Sequence, residues 1–277
     1  MYTTIISVDE LAANLDQPNW VIVDCSYELS DKEAGAAQYA QTHIAGAVYA
    51  HPYHDLSGPP LTDHGRHPLP SAEKLTRVFS KLGISNDTQV IAYDRRGGMT
   101  AARLWWLLRY MGHTKAAVLN GGWAAWVAAG QPASSEAHVN ASAEFSGTPN
   151  ASMLVVIDDV LNQSLLIDSR DAKRFAGLAK GSDPVAGHIP GATNRHYPRN
   201  YDADKRLLSA ETLRQQFADL LGDVPANEAT FYCGSGVSAC VNLLAMAHAG
   251  LPMGKLYVGS WSEWSRDENR PKITSVD

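Results

Sequence analysis

One cysteine in this chain stands where a cysteine can do chemistry. Cys233 lies in "TFYCGSGVSACVNLLAMAHAG", residues 230–250, between a run of strand character and a run with apolar residues at Val237, Cys240, Val241, Leu244, Ala247 and Leu251. That spacing marks one buried helix face, so Cys233 ends a strand and "GSGVS" turns the chain into the helix. In open α/β sheets, ligands sit in the crevice at the carboxyl ends of the strands. A Gly-rich turn feeding a helix also aims successive backbone N–H groups at one centre, and the helix dipole adds to their field. Such a place favours thiolate over thiol and makes the sulfur a nucleophile. The amides concerned belong to Gly234, Ser235, Gly236, Val237, Ser238 and Ala239, with hydroxyl donors on Ser235 and Ser238.

The same stretch limits the chemistry. A cysteine phosphatase needs an arginine about six residues after its nucleophile, to take the phosphoryl charge bidentately. Here that place holds Ala239, between Ser238 and Cys240, so phosphate-ester hydrolysis is disfavoured. Cys240, on the apolar helix face, and Cys25, after a strand, read as small buried hydrophobes. Three widely spaced cysteines with no CxxC pair make a disulfide framework or a cysteine metal site improbable. No metal is expected, and the cysteine chemistry rests on one thiol.

The elements that must position Cys233 occur twice. "VIVDCS" at Val21 returns as "LLIDSR" at Leu165, and "HIAGA" at His43 as "HIPGA" at His188. "VIAYD" at Val90 returns as "ATFYC" at Ala229, and "LNGGWAAW" at Leu119 as "YVGSWSEW" at Tyr257. Asp168 follows Asp24 by 144 residues, His188 follows His43 by 145, Cys233 follows Asp94 by 139 and Trp261 follows Trp123 by 138. A whole domain is duplicated. Short β-branched runs alternate with helical stretches such as "SAEKLTRVFSKLG" and "SAETLRQQFADLLG", whose Ser71 and Ser209 are expected N-caps. Alternation of this kind predicts, in each copy, a mostly parallel sheet with helices on both faces. We expect a first domain over 1–132, a linker over 133–152, rich in Ala, Ser, Pro, Asn and Gly, and a second domain over 153–277. In the first copy the place of Cys233 is taken by Asp94, so packing there does not demand sulfur.

A chain of 277 residues accommodates two domains of about 130 residues, each with its own core. With 23 basic against 29 acidic side chains it has no basic field for nucleic acid or anionic lipid, and no window resembles a membrane span. The opening "MYTTIISVDELAANL" lacks the order of a secretory or transit signal, so a cytoplasmic location is expected.

On "HIPGA" (188–192), "YCGSGVSA" (232–239), "YVGSWSEW" (257–264) and the degenerate first copy, the sequence resembles the tandem-domain rhodanese family of sulfurtransferases over nearly its whole length. The resemblance implies an α/β protein of two tandem rhodanese-like domains, with the active cysteine in the second and the site between them. It implies double displacement: Cys233 takes a sulfane sulfur from a donor, holds it as a persulfide and hands it to cyanide or a thiol, without a cofactor. The loop amides of 234–239 would stabilise charge on sulfur at both steps.

Donor identity turns on charge. Loops resembling the thiosulfate type carry Arg and Lys directly after the cysteine; "CGSGVS" has neither and looks like the 3-mercaptopyruvate type. That type places arginines ahead of "GHIPG" for the donor's carboxylate; Arg174 matches one, and in place of the second "GLAKGSDP" offers only Lys180. Arg170, Arg195 and Arg199 are other sources of charge, each set against a structural ion pair. In mercaptopyruvate-type relatives a histidine before "Leu-Pro" meets the loop serine, which His67 in "GRHPLP" matches; a Ser235–His67 contact would relay a proton. The resemblance makes this a contribution of the first domain, with Asp55 and Asp63 as weak candidates for an acidic partner. His43 and His188 recur in both copies and read as turn-holding residues; Trp123, Trp126, Trp261 and Trp264 read as packing, although Ser260 and Trp261 are placed to line the cleft. A thiosulfate:cyanide sulfurtransferase and a persulfide carrier to a protein partner remain the alternatives.

Overall fold

The structure is a computed structural model that describes residues 1–28, 30–60 and 64–274; Asp63 lies outside them. The chain divides into two compact units, one of residues 1–58, 70–150 and 203–207, the other of residues 59–69, 151–202 and 208–277.

In the first unit the strands are β1 (Ile5–Ile6), β2 (Trp20–Asp24), β3 (His43–Ile44), β4 (Val48–Tyr49), β5 (Gln89–Tyr93), β6 (Ala116–Leu119) and β7 (Ala133–Ser134). Its helices are α1 (Val8–Ala12), α2 (Ala34–Gln41), α3 (Ala72–Lys81), α4 (Met99–Tyr110) and α5 (Gly122–Ala128). Five strands form a parallel sheet in the order β1-β6-β5-β2-β4, and β3 pairs antiparallel with β7. Strand side chains alternate between faces. Ile22, Ile91, Tyr93, Ala117 and Leu119 pack with Val8, Leu11 and Trp126 from α1 and α5. Residues of the opposite parity, Val21, Val23, Val90, Ala92 and Val118, are also buried, as a sheet covered on both faces requires.

The first unit runs on to Asn150, so the segment expected as a linker packs on it. Its polar composition hid one anchor: Phe145 is buried edge-on against Phe79, with ring centroids 5.1 Å apart.

The second unit has β8 (Leu165–Asp168), β9 (Ala192–Asn194), β10 (Ala229–Tyr232) and β11 (Lys255–Leu256), with helices α6 (Ala172–Phe175), α7 (Ala210–Leu221), α8 (Ala239–His248) and α9 (Ser260–Trp264). Its four-stranded parallel sheet has the order β11-β10-β8-β9. Leu166, Ile189, Tyr232, Tyr257, Trp261 and Trp264 share one core, while Phe217 of α7 meets Phe231 from the other face.

The duplication extends to single hydrogen bonds. Tyr93 Oη accepts from Ile44 N–H at 3.1 Å and Tyr232 Oη from Ile189 N–H at 3.3 Å. His43 Nδ1 donates to the Tyr39 carbonyl at 2.7 Å and His188 Nδ1 to the Phe175 carbonyl at 2.8 Å, each ring stacked on the residue it bonds. Trp126 and Trp264 donate their indole N–H to the carbonyls of Pro132 and Pro271, both at 2.9 Å. The paired histidines and tryptophans thus hold turns and cores. Ser71 and Ser209 cap α3 and α7, each hydroxyl accepting an N–H three residues on at 3.2 Å. Among the described residues no helix is long and apolar enough to cross a membrane.

Candidate active site

Cys233 directly follows β10 and is 1% exposed. Its backbone is clamped by the segment around α9. Cys233 N–H donates to Ser260 Oγ at 3.1 Å, while the carbonyls of Cys233 and Gly234 accept from Trp261 N–H at 3.0 Å and Ser262 N–H at 2.9 Å. Ser260 Oγ in turn donates to the Tyr257 carbonyl at 2.9 Å. Ser260 holds φ +55°, a left-handed conformation costly for a residue with a Cβ. Strain at a residue gripping the nucleophile's backbone marks it as a positioning residue. Ser260→Ala is expected to lower kcat about tenfold with KM little changed, and to lower stability by about 1–2 kcal/mol; steady-state kinetics beside urea unfolding check both.

The first unit's corresponding loop holds an anion. Asp94, in the place of Cys233, accepts from Arg96 N–H at 2.8 Å and Gly98 N–H at 2.9 Å on Oδ1. Its Oδ2 accepts from Thr100 N–H at 3.0 Å, Thr100 Oγ1 at 3.0 Å and Ala101 N–H at 3.1 Å. A strand-to-helix loop of this fold is therefore an anion cradle in this very chain; in the second unit Val237 stands where Gly98 is left-handed, and Cys240 N–H donates to the Val237 carbonyl at 3.1 Å where Ala101 N–H donates to Asp94. Gly236 takes φ +73°, and a Cβ on it would meet the Val258 carbonyl oxygen at 2.3 Å, so only glycine closes the loop there.

Positive charge reaches the loop from elsewhere in the unit. A Cβ built on Gly234 would lie 2.9 Å from Nη2 of Arg174 and 2.9 Å from Nη2 of Arg66. Both guanidiniums therefore rest on the residue beside the nucleophile, and both are partly open, with side chains 23% and 24% exposed. Between them lies Asp183, whose side chain is wholly buried: Oδ1 pairs with Arg66 Nη1 and Oδ2 with Arg174 Nη2, while Arg170 Nη1 stands 3.6 Å from Oδ2. Arg66 is anchored by its N–H, which donates to Ser262 Oγ at 3.0 Å.

His67, buried, meets Ser235 Oγ through Nδ1 at 2.9 Å. Expected as part of the first domain, it belongs by its contacts to the second unit with Arg66. The structure thus brings together Cys233, Ser235, the loop 234–239, Arg174 and His67. Lys180 is exposed; the guanidinium beside Arg174 at the loop is Arg66, which the sequence reading passed over although it adjoins His67. Arg170 is committed to Asp168, bonded through Nε at 3.1 and 3.0 Å and through Nη2 at 2.6 Å. Arg195 is buried over Phe217 and bonded to Asn200 and Gln216; burial and nearby Arg199 lower its pKa to about 10. Arg199 is exposed. Asp55 accepts the His51 N–H at 2.8 Å and closes its own turn. Cys25 is fully buried, and Cys240 Sγ donates to the Gly236 carbonyl at 3.4 Å.

One group of possible metal ligands, Glu33, His51 and His54, brings its ligand atoms within 4.8 Å of one another. His51 Nδ1 accepts from the N–H groups of Tyr53 and His54 at 3.1 and 3.2 Å, so the ring's proton is on Nε2, which donates to the Lys32 carbonyl at 3.0 Å. That nitrogen offers a metal no lone pair, and the trio does not fit one.

Two α/β units of one repeat, each built on a parallel sheet, with a cysteine at the strand-to-helix turn of the second and a carboxylate at that of the first, define a duplicated fold. Residues 7–129 and 156–267 each match the rhodanese-like domain. The chain is 41% identical over 277 residues to a probable 3-mercaptopyruvate sulfurtransferase of Pseudomonas aeruginosa, covering 98% of each. It is 32% identical over 307 residues to thiosulfate/3-mercaptopyruvate sulfurtransferase 2 of Arabidopsis thaliana, covering 98% of this chain and 86% of that one. The 3-mercaptopyruvate sulfurtransferase from Leishmania major superposes with a TM-score of 0.83 at 33% identity, over 95% of this chain and 74% of that one. The chain belongs to the tandem-domain rhodanese family of sulfurtransferases.

Proposed function

We propose that this protein takes sulfur from 3-mercaptopyruvate onto Cys233 and passes it to a thiol or cyanide. The observation that carries the donor assignment is the pair of guanidiniums, Arg66 and Arg174, packed on Gly234 beside the nucleophile. They stand where a carboxylate two carbons from the reacting sulfur can be gripped by charged hydrogen bonds.

The Cys233 thiolate attacks the donor's sulfur. The carbon–sulfur bond breaks and its electron pair passes to carbon as the enolate of pyruvate, which takes up the donor thiol's proton by way of Ser235 and His67. Cys233 is left as a persulfide. An acceptor thiolate or cyanide then attacks the outer sulfur, and the electron pair of the sulfur–sulfur bond returns to Cys233. Amides of residues 234–239 stabilise the anionic sulfur at both steps; N–H groups of the corresponding loop in the first unit hold the Asp94 carboxylate. All three cysteines are free thiols, which suits a reducing compartment such as the cytoplasm.

Steady-state rates with 3-mercaptopyruvate and with thiosulfate test the assignment. Arg66→Ala and Arg174→Ala are each expected to raise KM for 3-mercaptopyruvate about 10- to 100-fold, since a charged hydrogen bond contributes roughly 1.5–3 kcal/mol. A KM unchanged in both variants would refute the guanidinium pair as the carboxylate site.

A further inference from the structure

We infer that Asp183 sets the donor's charge: by cancelling one of the two positive charges at the loop, it makes the site select a singly charged donor over a doubly charged one. The inference rests on the assignment of Arg66 and Arg174 to the donor. Three arginines and two aspartates meet here. Arg170 is neutralised by Asp168, through three hydrogen bonds between guanidinium and carboxylate. The Asp183 carboxylate, with no exposed side-chain surface, is shared between Arg66 and Arg174. Two positive charges against one negative leave a single positive charge facing Gly234.

A donor with one carboxylate balances that charge. A dianion such as thiosulfate brings a second negative charge, which would stand unbalanced beside the anionic Cys233 sulfur and near the Asp183 carboxylate, whose side chain is wholly buried. The sequence feature that looked like a missing arginine, "GLAKGSDP", is then a change of sign: where a second cation was expected the segment supplies a buried anion, and the second cation comes from Arg66.

A role confined to bracing the two arginines would lower kcat/KM for 3-mercaptopyruvate without raising it for thiosulfate, so the readout is the ratio together with kcat/KM for thiosulfate per titrated Cys233 thiol, which only the charge-setting role raises. In Asp183→Asn and Asp183→Ala, kcat/KM for thiosulfate divided by kcat/KM for 3-mercaptopyruvate is expected to rise at least about tenfold over the wild-type ratio. Both rates come from one preparation, so the ratio is independent of the fraction of folded enzyme. Arg66→Ala and Arg174→Ala are measured in parallel. If these raise KM for 3-mercaptopyruvate while the ratio stays flat or falls, or kcat/KM for thiosulfate per titrated thiol does not rise, in both Asp183 variants, the charge-setting role is overturned and the arginine site stands. If neither arginine variant changes that KM, the site and the role of Asp183 fall together.

Discussion

Replacing Cys233 by serine is expected to abolish the persulfide and to lower sulfur transfer at least about a thousandfold with any donor. The serine is nearly isosteric, so the clamp on the backbone from Ser260, Trp261 and Ser262 persists. What is lost is the sulfur nucleophile that can form a sulfur–sulfur bond. Neither remaining cysteine can take over. Burial and the surrounding carboxylates of Asp24, Asp94 and Asp55 push the Cys25 thiol well above the ordinary range, so it stays protonated. Cys240 has its Sγ turned to the Gly236 carbonyl. Mass spectrometry after treatment with 3-mercaptopyruvate should find one added sulfur on the Cys233 peptide of the wild type, and none on the peptides of Cys25 and Cys240. An added sulfur retained in Cys233→Ser would remove Cys233 from the reaction.

The part of this site that was legible in the sequence is the part built from regular elements. A strand, a Gly-rich turn and a helix face have periods, and the four recurring landmarks fixed the register between the copies, so Cys233, its loop and the turn-holding histidines could be located by spacing alone. Arg66 and Asp183 escaped for a shared reason. Each sits on an irregular segment, 64–69 and 177–187, where no period says which way a side chain points, and their meeting is a contact between residues more than a hundred positions apart. Read singly, each is an ordinary surface charge. The linker reading failed to anticipate Phe145 similarly: one buried ring is enough to fasten a polar segment, and one ring makes no pattern.

Asp94→Ala is expected to be among the most destabilising single changes in the first unit, by about 3–5 kcal/mol. The carboxylate is 2% exposed and accepts five hydrogen bonds, four of them from backbone N–H groups that the loop's shape points at one spot. An unmade hydrogen bond at a buried donor costs roughly 1–3 kcal/mol, reduced where water or a solute anion enters the vacated space. Asp94→Asn keeps one carbonyl oxygen to accept and should lose about half as much. In calorimetry the transition of the first unit should fall by about 10 °C for the alanine variant. Inorganic anions should restore part of the loss, since they fit the cradle that the side chain leaves. A transition unmoved by the substitution would mean that the loop does not need an anion at its centre. The repeat thus puts one strand-to-helix turn to two uses: in the first unit it is closed around a permanent carboxylate, and in the second the same position carries a cysteine.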